Sequence, residues 1–283
     1  RNLRVFFRDR MSVFFSLLAA LIQLGIYVLF LSPMQVDSLK AGFPAAAASD
    51  VEGFINSWVF AGTLTIAAAT TGMAALTVFV DDGASGRFQD FLVSPVRRWQ
   101  LVFGYVAASF IVAVVMSLGI LVASQLYLLI LGQPVMSGSD FARCVGAVVL
   151  WAAAFCAFSS LMATFLHSNG AFGAFSSALG VLVGFLAGAY MPPGAVPTRF
   201  ANVLNALPFA QAGLLIRVPF TEKALTGLTA GSPAARTELE NIFGMRLAIG
   251  DYTVSTGLAV GSLAAVTVVF FVLGILRIGQ RIR

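Results

Sequence analysis

The sequence predicts an all-α polytopic membrane protein with six transmembrane helices, and three observations predict it. Of 283 residues, 59% are hydrophobic and only 10% are charged, whereas a soluble domain carries about 25% charged residues. So little charge cannot cover a water-facing surface. Six apolar runs, at 12–32, 55–80, 101–131, 141–166, 170–190 and 252–276, reach the ~20 residues a helix needs to cross a bilayer. None alternates as a membrane barrel strand would, so each is read as a helix. The chain forms one transmembrane domain over 1–283, with an external loop at 191–250.

The elements follow in order. The opening "RNLRVFFRDRM" places Arg1, Arg4 and Arg8 on one helical face and Leu3, Phe6 and Phe7 on another. That pattern suits an interfacial helix leading into the first span, and equally a plain flank whose arginines set topology. The first run is too long for a signal-peptide core and lacks a small-residue cleavage motif, so it is a span. Small residues in "AGTLTIAAATTGMAAL" of the second span and "GAFGAFSSALGVLVGFLAG" of the fifth permit close helix approach. The stretch in the second span allows a dimer seam or a passage, and tight packing inside one subunit is the alternative. Thr63, Thr65, Thr70, Thr71 and Thr77 add weak hydrogen-bonding capacity. The third run is long enough to tilt or project. "HSNG" makes a tight turn between the fourth and fifth. Cys144 and Cys156 share the fourth helix, about 18 Å apart by its rise, beyond disulfide reach; they are packing residues.

Arginine and lysine set the orientation. With six spans both termini share a side, which holds Arg1, Arg4, Arg8, Arg10, Arg87, Arg97, Arg98, Arg277, Arg281 and Arg283 against Asp9, Asp81, Asp82 and Asp90. The other side balances its basic residues with more acids. Both termini are therefore expected in the cytoplasm. The net charge of +5 is topological: no basic run is interleaved with stacking aromatics, so nucleic acid is not an expected partner.

The external segment begins "MPPGAVPTRFANVLNALPFAQAGLLIRVPF". Residues 200–216 are nearly apolar enough for a seventh span, but Asn202, Asn205, Pro208 and Gln211 oppose one, and it would place the basic C-terminus outside. Two short helices meeting near Pro208, lying in or dipping into the outer leaflet, are expected instead. Pro192, Pro197, Asn205, Pro208 and Arg217 mark this region. Residues 221–250 read as an ordinary polar external loop, with Thr221 as a helix N-cap.

Much chemistry has no residues to carry it. The spans hold essentially no ionisable groups, which a proton- or ion-driven carrier needs at its coupling site. His167 has no Cys or His neighbour at metal spacing, so no metal is expected. Neither lysine, Lys40 nor Lys223, ends a G-x-x-x-x-G-K-[ST] loop, so the chain is not expected to be an enzyme. No catalytic residue is assigned, and no cofactor is expected in this chain.

The charged stretch "DDGASGRFQDFLVSPVRRWQLVFGYV" at 81–106 stands between the second and third spans. Phe88, Phe91 and Leu92 fall at i, i+3 and i+4, one apolar face of a short helix. Arg87 falls elsewhere around it, as an exposed rim charge. Ser94 and Pro95 restart a helix, and Trp99 suits an interface. Such a helix fits a groove on a soluble partner; a helix resting on the inner leaflet is the alternative.

On this stretch, on "RNLRVFFRDRMSVFFSLL" and on "YMPPGAVPTRFANVLNALPFAQAGLLIR", the chain resembles the permease subunits of ABC-2-type transporters, bacterial ABC exporters with six spans per subunit. The order and topology of the three pieces carry the resemblance more than any one motif. The insert at 221–250 is less typical. The resemblance implies that the first stretch is a cytoplasmic coupling helix between spans 2 and 3, and that the last forms external re-entrant helices before span 6. It implies a bacterial plasma-membrane protein that pairs with a second permease, as homodimer or heterodimer. Two ABC ATP-binding subunits would lie beneath and carry the ATP and Mg. Exported cargo in such systems includes drugs, peptides, lipids, polysaccharide precursors and ions. The apolar spans favour a hydrophobic or amphipathic small molecule. A non-transporting membrane scaffold or sensor is the competing reading.

Overall fold

The computed structural model describes residues 2–11, 13, 14, 18, 22, 25, 32–43, 46–87, 98–166 and 168–281. Most of the first expected span, 12–32, lies outside the described residues. The elements run α1 (Asn2–Arg8), α2 (Ser32–Gly42), α3 (Ala48–Ala84), α4 (Arg98–Ile130), α5 (Gly138–Ala163) and α6 (Asn169–Leu186). They continue with a 3-10 turn (Pro193–Ala195), α7 (Thr198–Ala206), α8 (Pro208–Thr229), α9 (Pro233–Ile242), the strands β1 (Ala248–Ile249) and β2 (Tyr252–Thr253), and α10 (Thr256–Arg281). The protein is all-α, and the two-residue strands pair antiparallel as a small hairpin. Among the described residues, five helices are long and apolar enough to cross a membrane: α3, α4, α5, α6 and α10. They match the second to sixth expected spans, except that 252–253 is strand and the last helix starts at Thr256.

The bundle is built around α3. Its 37 residues contain no proline, so nothing breaks the ladder, and at 1.5 Å per residue it is about 56 Å long. That exceeds a ~30 Å hydrocarbon layer, so part of it stands beyond the membrane. Of its most apolar stretch 78% is buried, against 17% for α10: α3 is the axis and α10 faces outward. Small residues on α3 explain the close approach. A Cβ on Gly62 would come within 2.9 Å of the Ala189 side chain, and one on Gly72 within 2.6 Å of Cys156 Sγ. In this subunit those two positions serve internal packing. Thr63, Thr65 and Thr70 donate to the carbonyls of Val59, Ala61 and Ile66 one turn back, as Thr71 does to Ala67. Their hydroxyls are thus satisfied within the helix.

Caps fix the turns. Ser137 Oγ accepts from Asp140 N–H at the start of α5, and Ser168 Oγ from Ala171 N–H at the start of α6. Gly188 at φ +68 ends α6, a conformation that costs glycine little. We call the end of the bundle carrying Ala84, Arg98 and Asn169 the base, and the end carrying α7, α8, α9 and the hairpin the cap.

The cap departs from the sequence-based expectation. Helices do meet at Pro208, with an 80° bend between α7 and α8, but the second is not short. α8 runs 22 residues and passes through Pro219. Thr221 is not an N-cap; it is buried inside α8 and donates to Arg217 O at 2.9 Å. Nor is 221–250 simply a polar loop. Leu225, Leu228, Leu239, Phe243 and Met245 pack with Phe54, Ile55, Trp58 and Val59 of α3 and with Val36 and Leu39 of α2. The apolar face needed for that core recurs every third or fourth residue, interspersed among the charges that made the stretch look polar. At the base, Phe6 of α1 is buried against Ala75, Val112 and Met116 while Arg4, Arg8 and Arg10 are exposed. Phe7, placed with Leu3 and Phe6 on the face away from the arginines, is 43% exposed.

Candidate functional site

Two polar constellations stand at opposite ends of α3. At the base, the last turn of α3 carries Asp81 and Asp82. Asp82 has no exposed surface. The buried Tyr105 hydroxyl of α4 donates to its Oδ2 at 2.5 Å, and Arg87 Nη1 donates to its Oδ1 at 3.2 Å. Asp81, partly exposed, accepts from Asn169 Nδ2 of α6 at 2.8 Å and from the same Arg87 Nη1 at 3.5 Å. A buried carboxylate is costly unless it is paired and hydrogen-bonded. A phenolic O–H and a guanidinium supply charge-assisted bonds. Three helices, α3, α4 and α6, are thereby joined where the chain leaves α3. Beside this cluster is a cavity of about 260 Å³ between α1, α3 and α6, lined by Phe6, Asp9, Thr77, Asp81 and Asn169 among others.

At the cap, Arg217 of α8 is 1% exposed. Its Nη1 donates to Gly244 O at 3.1 Å and Phe243 O at 3.4 Å; its Nη2 donates to Gly188 O at 3.1 Å and Ala187 O at 2.5 Å. The guanidinium also lies 5.7 Å from the Trp58 ring. Trp58 Nε1 in turn donates to Phe243 O at 2.9 Å. All four acceptors of Arg217 are main-chain carbonyls. Two follow the C-terminus of α6, where the helix dipole favours a cation, and a ring face favours one again. A planar fork of donors reaches two chain segments at once, which a lysine point charge cannot do. Gly244 sits at φ +70, and a Cβ there would meet Pro193 Cγ at 2.4 Å and Arg217 Nη1 at 2.7 Å. The segment therefore closes over the arginine only because it is glycine.

The bend at Pro208 is stitched by Gln211. Its Nε2 donates to Asn205 O at 3.4 Å and Ala206 O at 3.3 Å, the last carbonyls of α7. Its Oε1 accepts from Ser262 of α10. Asn205 Nδ2 donates to Ala248 O at 2.8 Å, and Gly250 N–H donates to Asn202 Oδ1 at 3.0 Å, fixing α7 to the hairpin. On the outer side of the cap, Arg236 of α9 bridges Glu222 and Glu240, each at 2.8 Å. The hydrogen bond that Arg236 donates to Glu222 leads the causes that push the Arg236 pKa above its ordinary value.

Of the residues singled out in the sequence, Asn205 and Arg217 come together, lining one cavity of about 20 Å³. Pro208 opens α8, Pro197 precedes α7, and Pro192 precedes the 3-10 turn. Arg87 lies in the turn after α3, while Phe88, Phe91 and Leu92 lie outside the described residues. Sequence reasoning missed Asp82, Tyr105, Asn169 and Trp58. A doublet of aspartates closing an apolar run was a signal for the first, but only its sign entered the topology count.

A family model described as "ABC-2 family transporter protein" matches residues 32–276. No curated protein matches the chain. The match spans most of the sequence, and the chain belongs to the ABC-2 transporter family.

Proposed function

We propose, from membership of the ABC-2 transporter family, that this chain is the permease subunit of an ATP-driven exporter. The family match over 32–276 carries the reading, and it implies association with an ABC ATP-binding subunit. On this reading the base faces the cytoplasm of a bacterial cell, with both termini there, and the cap faces outward. The arginine asymmetry supports that orientation. Phe88, Phe91 and Leu92, flanked by Arg87, dock on the ATP-binding subunit, which binds the ATP and Mg. A second permease, identical or different, completes the membrane unit. The helices α7 and α8, bent by 80°, are the re-entrant pair at the outer face. The cargo is a hydrophobic or amphipathic small molecule: drug-like, peptide or lipid. Export as the direction rests on the likeness of 81–106 and 191–217 to exporter permeases, and the cargo class on the apolar spans.

The test uses inside-out membrane vesicles holding the chain with its ATP-binding subunit and a fluorescent lipophilic dye as probe. ATP-dependent, vanadate-sensitive dye accumulation is expected. Capture of an ATP-binding subunit with ATP-driven movement into the cytoplasmic side would overturn export. Capture of none would favour a scaffold. Topology has its own check: in a cysteine-free background, a cysteine at position 280 should resist an impermeant external reagent and one at 230 should react. External labelling at 280 would put the C-terminus outside.

A further inference from the structure

The base cluster has a feature that docking alone does not require. Arg87 Nη1 reaches both carboxylates in the last turn of α3, at 3.2 Å to Asp82 and 3.5 Å to Asp81. Those carboxylates hold α4 through Tyr105 and α6 through Asn169. Arg87 immediately precedes residues 88–97 in the chain. Apolar contacts slide, because they have no direction; hydrogen-bonded pairs either move together or break. Replacing such a buried pair with apolar side chains is often neutral or stabilising, so stability alone gives a weak reason for a carboxylate with no exposed surface. The same helix that holds Asp82 in its last turn carries Trp58 at the cap, bonded to Phe243 O and stacked on Arg217. No proline interrupts it between the two.

We infer that Asp81, Asp82, Arg87, Tyr105 and Asn169 form a coupling node. They are positioning residues that pass displacement of the chain after Arg87 to α3, α4 and α6 together, with α3 as the rod that carries it to the cap. This rests on the permease reading above.

The test uses the permease with its ATP-binding subunit in phospholipid nanodiscs, comparing nucleotide-free and ATP–Mg–vanadate-trapped states by hydrogen exchange. Wild type is expected to change deuterium uptake both at 75–87 and at the cap peptide 233–254. The double variant Asp82→Asn with Tyr105→Phe nearly conserves volume and removes the carboxylate charge and the phenolic donor. Its cap response per nucleotide trapped should fall about tenfold, the scale that coupling mutations reach. A purely structural role would lower the melting temperature and leave that ratio unchanged, which would overturn the node. Should the double variant fail to assemble, Asn169→Ala decides, because it removes only an exposed link. Loss of the response at 184–190 with the response at 54–60 intact is expected; both intact would overturn the node. A wild-type chain that holds no ATP-binding subunit overturns the permease reading itself, whereas a complex that traps nucleotide with no response at 75–87 overturns the node. A full wild-type response unchanged in the variants overturns the node alone.

Discussion

The two ends of α3 are fastened by opposite means. At the cap, Arg217 is fully buried and holds four main-chain carbonyls from two segments. At the base, Arg87 is 57% exposed and holds two carboxylates, one buried and one not. Main-chain acceptors cannot rotate away, and their positions are set by the helix end and glycine turn that present them. Side-chain carboxylates can change rotamer and partner, and an exposed guanidinium can exchange them for water. The cap is therefore a bolt and the base a clasp. A bolt suits a part that must move as a body, and a clasp suits one that meets another protein.

The largest expected effect tests the bolt. Arg217→Ala removes the side-chain donor from the carbonyls of Ala187, Gly188 and Gly244, while Phe243 O keeps its bond from Trp58, and each unsatisfied buried group costs about 1–3 kcal/mol. Even with relaxation the loss should be several kcal/mol, seen as a collapsed melting temperature in detergent and low recovery of folded protein. Arg217→Lys should rescue little, because one ammonium cannot span both segments. A near-normal melting temperature in Arg217→Ala would mean that the cap is held by its apolar core alone.

Gly244→Ala probes the same bolt from its other side. It forces a Cβ against Pro193 and Arg217 at a positive φ, which for a non-glycine residue costs of order 1–2 kcal/mol before the clash. Its melting temperature should fall clearly, but less than that of Arg217→Ala.

Arg87→Ala tests the clasp. Read from the sequence, Arg87 is a rim charge worth under about 1 kcal/mol. The structure raises that, because truncation removes a partner of the buried Asp82. A loss of about 1–2 kcal/mol is expected, with weaker capture of the ATP-binding subunit. Arg87→Lys should recover part of both. Equal stability of the Ala variant and wild type would return Arg87 to the rim.

The smallest effect is expected at Arg236. Its bridges to Glu222 and Glu240 are partly exposed, and such pairs contribute about 0–1 kcal/mol. Arg236→Ala should shift the melting temperature slightly, and the shift should shrink in high salt. A large, salt-insensitive loss would make α9 a second bolt.

The five described spans were legible because a continuous apolar run has only one economical solution in lipid. The bend at Pro208 was legible too, because proline has no N–H to give and restricts the residue before it. The course of α8 beyond Pro219 was not. A proline inside a helix is disfavoured, and the charges of "TEKALTGL" hid the buried Leu225 and Leu228 of the cap core. Arg217 was singled out as part of the outer segment, but its partners are backbone atoms, and a sequence does not show which carbonyls a fold leaves unpaired. The base cluster was hidden differently. Asp82, Tyr105 and Asn169 are far apart in the chain, and only the antiparallel return of α4 and the turn before α6 bring them to one place.

The most direct test of the permease reading is capture of the ATP-binding subunit by wild type and by the double variant Phe88→Asp with Phe91→Asp, paired with ATP-driven dye transport in the same vesicles. Burying an unpaired carboxylate in a protein contact costs several kcal/mol, and each ~1.4 kcal/mol is about tenfold in affinity. The variant should insert normally, lose the ATP-binding subunit and transport nothing. Full capture and full transport by the double aspartate variant would contradict docking at this segment and leave the base without its partner.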